Sequence, residues 1–158
     1  DKPYVAIDKL KKRYSNVEWK HPCIYLKNVT FIDTKFDNLV ITYKNEKLVE
    51  ATFTLFDNAS VMDNPFKDRA TILSEAKSKQ NQIMNRFTQA FNGLGNAFCS
   101  KYGNPAVSSE GNAIWRDTNS NSITLNVTLN NSQDELGVHF DGILTVTYRT
   151  ATTNNDEF

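Results

Sequence analysis

A long helical pattern in the middle of the chain constrains the fold more than any other feature of the sequence. From Phe66 to about Tyr102, apolar residues recur every three or four positions, and Lys, Gln, Asn and Ser fill most of the positions between them. This spacing predicts an amphipathic helix whose apolar stripe packs against another element. The stripe consists of Phe66, Ala70, Leu73, Ala76, Ile83, Phe87, Ala90, Leu94 and Phe98.

Local signals mark both ends of this helix. Asp63-Asn64-Pro65 supplies a capping side chain and a proline, which suit a helix start. Gly103 supplies a left-handed cap at the other end, and Pro105 prevents the helix from continuing. The stripe becomes polar from Ser78 to Gln82, and two later glycines lower the helix propensity. One bent helix and two helices in series therefore both fit the pattern.

Alternating apolar and polar residues predict strands on both sides of the long helix. Before it, two strand-like runs are joined by the polar turn Lys44–Lys47, which predicts a hairpin. After it, Asp117–Asn121 reads as a turn and Asn130–Glu135 as a polar loop. Before the helix, the strand-like segments are Cys23–Leu26 taken together with Val29–Ile32, then Leu39–Tyr43 and Leu48–Phe56. After it, they are Ala113–Arg116, Ile123–Leu129 and Gly142–Tyr148.

The order of these segments predicts the fold class. It is helix, three strands, long helix, three strands, beginning with a short helix from Ala6 to Tyr14. We therefore expect an α+β fold in which an antiparallel sheet packs on the long helix. Two tandem α-β-β-β units are an alternative description, because each half has a Tyr near the end of its helix. We expect one α+β domain over residues 1–150, with halves at 1–60 and 61–150, and a flexible tail over residues 151–158.

Several short segments carry a resemblance to known proteins. They are Asn28–Phe31, Phe36–Leu39, Lys101–Pro105, Trp115–Asp117 and Leu144–Tyr148. Their arrangement resembles small exported bacterial proteins of unknown function with helix-plus-three-strand units. Those units are similar to the beta-lactamase-inhibitor-protein-like (BLIP-like) and outer-membrane-lipoprotein (SmpA/OmlA) folds. The resemblance implies a binding scaffold without a shared catalytic motif, although the central helix is longer than one such unit requires.

The first residue, the polar composition and the cysteines bear on the compartment. The chain starts at Asp1, which fits either a removed secretory signal peptide or a trimmed start. It has 19 Asn and 15 Thr, a polar but weakly charged composition that is common in exported proteins. A bridge between Cys23 and Cys99 would stabilise the fold by about 4 kcal/mol in an oxidising compartment. Two buried thiols are the alternative.

The residues that usually carry chemistry form no recognisable constellation. His21 lies two residues before Cys23, which makes a Cys–His pair conceivable, but no orienting carboxylate is evident. His139 is expected on a solvated loop or strand edge. Asp117–Asn121 lacks the glycine and the terminal glutamate of a calcium loop, which favours a hairpin turn. The sequence therefore predicts no catalytic, cofactor-binding or metal-binding residue.

The charge balance and the hydropathy of the chain narrow the range of functions that the sequence allows. Eighteen basic residues balance eighteen acidic ones, so the broad positive field used for nucleic acids is missing and we expect no nucleic-acid partner. No apolar run approaches the length of a transmembrane segment. We expect an exported, non-enzymatic protein- or peptide-binding domain, secreted or in the periplasm or cell envelope. Its expected partner is an envelope protein or peptide. The alternative is a small secreted hydrolase with a dispersed active site.

Overall fold

The architecture comes from a computed structural model, which describes residues 1–151. Within that range the chain forms two helices and eight strands. The helices are α1 (Pro3–Lys11) and α2 (Arg69–Tyr102). The strands are β1 (Glu18–Lys20), β2 (Cys23–Phe31), β3 (Thr34–Lys44), β4 (Lys47–Met62), β5 (Val107–Ser109), β6 (Asn112–Arg116), β7 (Ser122–Asp134) and β8 (Gly137–Arg149).

The eight strands of the described range form one antiparallel sheet in the spatial order β1-β2-β3-β4-β8-β7-β6-β5. The strands β4 and β8 lie in the middle and pair from Glu50 and Arg149 to Met62 and Gly137. The long helix α2 packs on β4, β8, β7 and β6. The predicted α+β fold, an antiparallel sheet packed on a long helix, is therefore confirmed.

Side-chain alternation along the strands gives the sheet one apolar face. Leu55, Leu125 and Leu144, from three neighbouring strands, are almost fully buried in the cluster that includes α2. Leu26 of β2 is buried in a second cluster that includes α1. Phe53 packs against both clusters, so both helices cover the same face of the sheet.

The long helix is a single element of 34 residues. The Oδ1 atom of Asp68 accepts the backbone N–H of Thr71 at 2.8 Å and caps the first turn. The expected start at Asp63-Asn64-Pro65 is wrong, because the Asn64 side chain instead accepts the N–H of Phe66 in the preceding turn. Gly103, with a φ of 78°, follows the last helical residue as predicted.

Other boundaries also differ from the sequence-based expectation. Each half has four strands instead of three, because β1 and β5 have three residues each, too few for a periodic signal. Asn130–Glu135 is not a loop, since β7 continues to Asp134 by pairing with β8. The first helix begins at Pro3. Most of the predicted flexible tail, residues 152–158, lies outside the described residues.

Candidate functional site

The sheet face opposite the two helices is the candidate site, and we call it the open face. In the described part of the chain both helices pack on the other face. The open face is rich in Thr, Asn and Ser because these residues alternate with the buried ones. Its central side chains are Thr52, Thr54, Phe56, Asn58 and Ser60 of β4, Ser122, Thr124, Asn126, Thr128, Asn130 and Ser132 of β7, and His139, Asp141, Ile143, Thr145, Thr147 and Arg149 of β8.

Polar contacts tie the strands together across the open face. The hydroxyl oxygens of Thr52 and Thr147 lie 3.2 Å apart, and Arg149 Nε donates to Glu50 Oε2 at 2.6 Å. Phe56 and Ile143 are directly paired on the same face, with 44% and 38% of their surface exposed. The open face therefore presents an apolar pair surrounded by hydroxyl and amide groups, which suits contact with another polypeptide.

Three titratable or nucleophilic side chains meet at one end of the open face. Ser60 and His139 are paired across β4 and β8, and Ser60 Oγ lies 2.9 Å from His139 Nδ1. His139 Nε2 lies 3.2 Å from Asp134 Oδ1. The expectation that His139 occupies a loop or strand edge is wrong. β8 pairs along its full length with β4 on one side and with β7 on the other, so it is an interior strand of the sheet.

Asp134 organises the tight turn between β7 and β8. Its Oδ1 accepts the backbone N–H groups of Leu136 at 2.8 Å and Gly137 at 3.1 Å. The Leu136 N–H, followed by the contact with His139, lowers the pKa of the Asp134 carboxyl below its ordinary value. The carboxylate is therefore available to hold the imidazole in one orientation.

The trio can activate a hydroxyl in one protonation state. With its proton on Nε2, neutral His139 donates to Asp134 and accepts the Ser60 hydroxyl proton at Nδ1. A hydroxyl beside a base that a third group orients is the arrangement of nucleophilic catalysis. Sequence reasoning missed Ser60 and Asp134. Extending the alternation of β7 beyond Leu129 would have placed Asp134 on the open face, but nothing in the sequence points to Ser60.

The structure does not bring the predicted Cys–His pair together. His21 packs edge-on against Trp19, with ring centroids 5.9 Å apart, and lines a cavity of about 430 Å³ with Tyr4 and Tyr43. Cys23 contacts Thr42 on the open face instead, with Sγ 3.6 Å from Oγ1. Among residues 1–151, no hydrogen bond joins His21 to Cys23.

The two cysteines are free thiols in the structure. Cys23 is half-buried on the open face, because its neighbour Ile24 points into the core beside α1. Cys99 is exposed on α2, which covers the other face. The sheet therefore lies between the two cysteines for which a disulfide was considered.

The remaining predicted features are placed as follows. Asp117 closes the turn between β6 and β7, and its carboxylate accepts from the backbone N–H groups of Asn119 and Asn121. Within residues 1–151, no cluster of three or more His, Cys, Asp or Glu side chains is arranged to hold a metal ion. No helix in that range has the length and apolar character needed to cross a membrane.

No protein-family profile, curated protein or solved structure matches this chain.

Proposed function

We propose that the protein is an exported, non-enzymatic domain of the cell envelope or secreted fraction that binds an envelope protein or peptide through its open face. One observation carries the proposal: both helices cover the same face of an eight-stranded sheet, and the opposite face is left to solvent by the described residues. A broad face built on paired strands is rigid, so it loses little conformational entropy on binding.

The chemistry of the open face supports a polypeptide partner. Hydroxyl and amide side chains, such as those of Thr145 and Asn126, both donate and accept hydrogen bonds. Phe56 and Ile143 supply an exposed apolar contact near the centre of the face. An apolar centre with a polar rim is the usual anatomy of a protein–protein interface.

We also propose that the fold consists of two tandem BLIP-like units. The element order supports this, because a helix followed by four strands occurs twice. The strand order β1-β2-β3-β4-β8-β7-β6-β5 runs inward from both edges, so the last strands of the two halves, β4 and β8, meet in the middle. A duplication joined through its last strands accounts for this arrangement.

Site-specific crosslinking tests the binding function. A photoreactive amino acid replaces Thr145 on the open face, or Lys77 on the exposed surface of α2 as the matched control. The protein is expressed in its source cell, illuminated, and recovered from the envelope and secreted fractions. We expect one discrete adduct from position 145, identified by mass spectrometry, and none from position 77. Identical adducts from both positions, or none from either, would contradict the proposal.

A second candidate function, a small secreted hydrolase, is favoured by the trio of Ser60, His139 and Asp134. In such an enzyme the Ser60 oxygen attacks an ester carbonyl while its proton passes to His139 Nδ1. The proton then leaves with the alcohol, and water hydrolyses the acylated Ser60. The accessible Ser60 hydroxyl, its partner base and the orienting carboxylate are the observations that support this candidate.

Labelling with a fluorophosphonate separates the two candidates. A hydrolase predicts that the probe modifies Ser60, that Ser60→Ala abolishes the modification, and that His139→Ala slows it. Ser132→Ala is the matched control, because Ser132 faces His139 from β7 without a hydrogen bond to it in the described structure. Absence of labelling in the unsubstituted protein would eliminate the hydrolase and leave the binding function standing.

A further inference from the structure

The central strand β4 extends well beyond its neighbour β3. The pairing of β3 with β4 stops at Asn38 and Thr54, whereas β4 continues to Met62. From Phe56 to Met62, β4 pairs with β8 on one side, and no strand in residues 1–151 pairs with it on the other side. We call this stretch the β4 edge. An unpaired strand edge presents backbone groups that can pair with another chain.

The hydrogen-bond pattern shows which residues direct their backbone groups outward. Asp63 donates its N–H to the carbonyl of Leu136, which flanks the direct pair of Met62 and Gly137. In antiparallel pairing this makes Met62 a residue whose own N–H and C=O point away from β8. The same holds at every second residue back along the strand, so the backbone N–H and C=O groups of Asn58 and Ser60 also point away from β8.

Two side-chain contacts agree with this assignment. The N–H of Phe56 donates to Asp37 Oδ2 at 2.7 Å, and the carbonyl of Ser60 accepts from Lys79 Nζ at 3.1 Å. Both groups lie on the outer side of β4. The backbone N–H groups of Asn58 and Ser60 have no partner among the described residues. The β4 edge therefore offers a row of outward-pointing backbone groups about five residues long. The row ends at Phe56, because Asp37 already accepts the N–H of that residue.

The charged side chains beside the β4 edge and the exposed apolar side chains on it define which polypeptide segment would fit there. On the helix side, the edge lies beside Arg86, which is already paired with Asp57 of β4, and beside Lys79, which has no carboxylate within ion-pair distance in the described range. Helix α2 as a whole carries five basic residues and one acidic residue. On the open face, the edge presents Phe56 and Met62, which are 44% and 54% exposed. Side chains of an added strand alternate between these two environments.

We propose that the β4 edge binds an extended segment of a partner protein as an added strand, in which acidic side chains facing α2 alternate with apolar side chains on the open face. This inference rests on the proposed binding function and specifies its partner. Backbone hydrogen bonds supply the affinity, and the alternating side chains supply the selectivity. Lys79 releases the Ser60 carbonyl to the incoming N–H and pairs with an acidic side chain.

A second free edge provides a contrast within the same molecule. β7 also extends beyond its neighbour, since its pairing with β6 ends at Asn126 and it continues to Asp134. The side chains that border this edge, including Met84, Gln80 and Glu110, are apolar, uncharged or acidic. The β7 edge is therefore not expected to attract an acidic segment.

A labelled peptide tests the inference directly. The probe has seven residues in which Glu alternates with Val and carries fluorescein at its N-terminus, and binding is followed by fluorescence anisotropy. We expect saturable binding, and at least about tenfold weaker binding when Lys replaces each Glu, because like charges then face α2. Equal affinity of the two peptides would overturn the inference.

Backbone methylation of the probe identifies strand addition without altering the protein. Two further peptides carry N-methyl groups on alternate residues, one on the odd and one on the even positions. Only one set of N–H groups faces β4, so we expect one methylated peptide to bind and the other to lose binding. Equal affinities for these two peptides would exclude pairing along a strand edge.

Proline substitutions locate the edge. Asn58→Pro removes an outward N–H without breaking a bond to β8, and we expect about threefold to tenfold weaker binding of the Glu–Val peptide. Asn131→Pro does the same on the β7 edge and is expected to leave binding unchanged. If Thr145→Tyr on the open face abolishes binding and Asn58→Pro does not, the edge inference fails while the binding function stands. If the probe does not bind at all, the edge inference fails alone, because crosslinking at position 145 decides the function separately.

Discussion

The ring of Phe87 on α2 lies directly against the backbone of Gly142 in β8. A Cβ atom at position 142 would lie 2.7 Å from Phe87 Cε2 and 2.9 Å from Cζ, well inside van der Waals contact. Phe87 itself is fully buried, so its ring has no free space into which it can move. Glycine at this one position lets the long helix approach the middle of the sheet.

We therefore expect Gly142→Ala to lower the free energy of unfolding by about 1 to 3 kcal/mol, because the added methyl overpacks the core. Gly93→Ala is the matched control, since nothing lies within 4 Å of a Cβ atom at that helical position. Alanine there should stabilise the protein by roughly 0.5 to 1 kcal/mol. Urea unfolding of the two variants measures both changes, and a loss of stability in neither would contradict the packing described.

The two tryptophans are expected to report on different environments. Trp115 is 3% exposed and its indole N–H donates to the carbonyl of Gly103 at 3.0 Å, whereas Trp19 is 38% exposed. Trp19→Phe should leave a blue-shifted emission that acrylamide barely quenches. Trp115→Phe should leave a red-shifted, readily quenched emission and lower the free energy of unfolding by at least about 1 kcal/mol, because a hydrogen bond is lost. Similar quenching of the two variants would contradict this assignment.

Three carboxylates that accept hydrogen bonds in turns or caps should make the protein sensitive to acid. Hydrogen bonds from the Thr71 N–H to Asp68, from the Asn121 side chain to Asp117 and from the Leu136 N–H to Asp134 are the largest causes that lower the three pKa values. Since each folded-state pKa lies below the unfolded value, the stabilisation is complete above the unfolded pKa. It is lost as the pH falls through the folded pKa.

Urea unfolding between neutral and acidic pH measures this effect. We expect the free energy of unfolding to fall in the acid range, and Asp134→Asn to make that fall shallower by removing one of the titrating groups. His139→Gln is the companion variant, because it removes the second contribution to the lowered Asp134 pKa and leaves the Leu136 contact. An unchanged slope in Asp134→Asn would contradict the role of this carboxylate.

The two thiols are expected to differ in reactivity. Cys99 is exposed on α2, and Cys23 is half-buried beside Thr42. In the native protein, a maleimide should therefore modify Cys99 quickly and Cys23 slowly, with both rates equal in denaturant. Mass spectrometry with and without a reductant checks the alternative, since a bridged pair resists the maleimide until it is reduced. Resistance of both cysteines would require a disulfide and a different relative placement of β2 and α2.

Local periodicity accounts for the parts of the fold that the sequence predicted. The apolar stripe of α2 and the alternation in β7 and β8 each depend on neighbours within one element, so they can be read without knowing what the element touches. The turn at Asp117 and the helix end at Gly103 were also predicted from neighbouring residues alone. The start of α2 was missed because two capping residues, Asn64 and Asp68, compete within five positions, and only the backbone path selects between them.

The candidate site was harder to predict because its members are far apart in the chain. Ser60 and His139 are 79 residues apart and become neighbours only because β4 pairs with β8. A serine on a strand and a histidine on another are ordinary surface residues until the pairing and its register are known. The same register decides that Phe56 and Ile143 meet on the open face.

The sequence by itself determined that this chain forms an α+β domain with one long amphipathic helix, because helix and strand periods are properties of consecutive residues. Only the tertiary structure decided which strands meet in the middle of the sheet, which face of the sheet stays open, and that β4 extends beyond β3. Those features follow from pairing between distant segments, and buried contacts such as that of Phe87 with Gly142 hold the helix over the central strands. A one-residue shift in that pairing would exchange the buried and open faces of a strand. The register therefore decides which side chains are buried, and the periodicity of the sequence does not show the register.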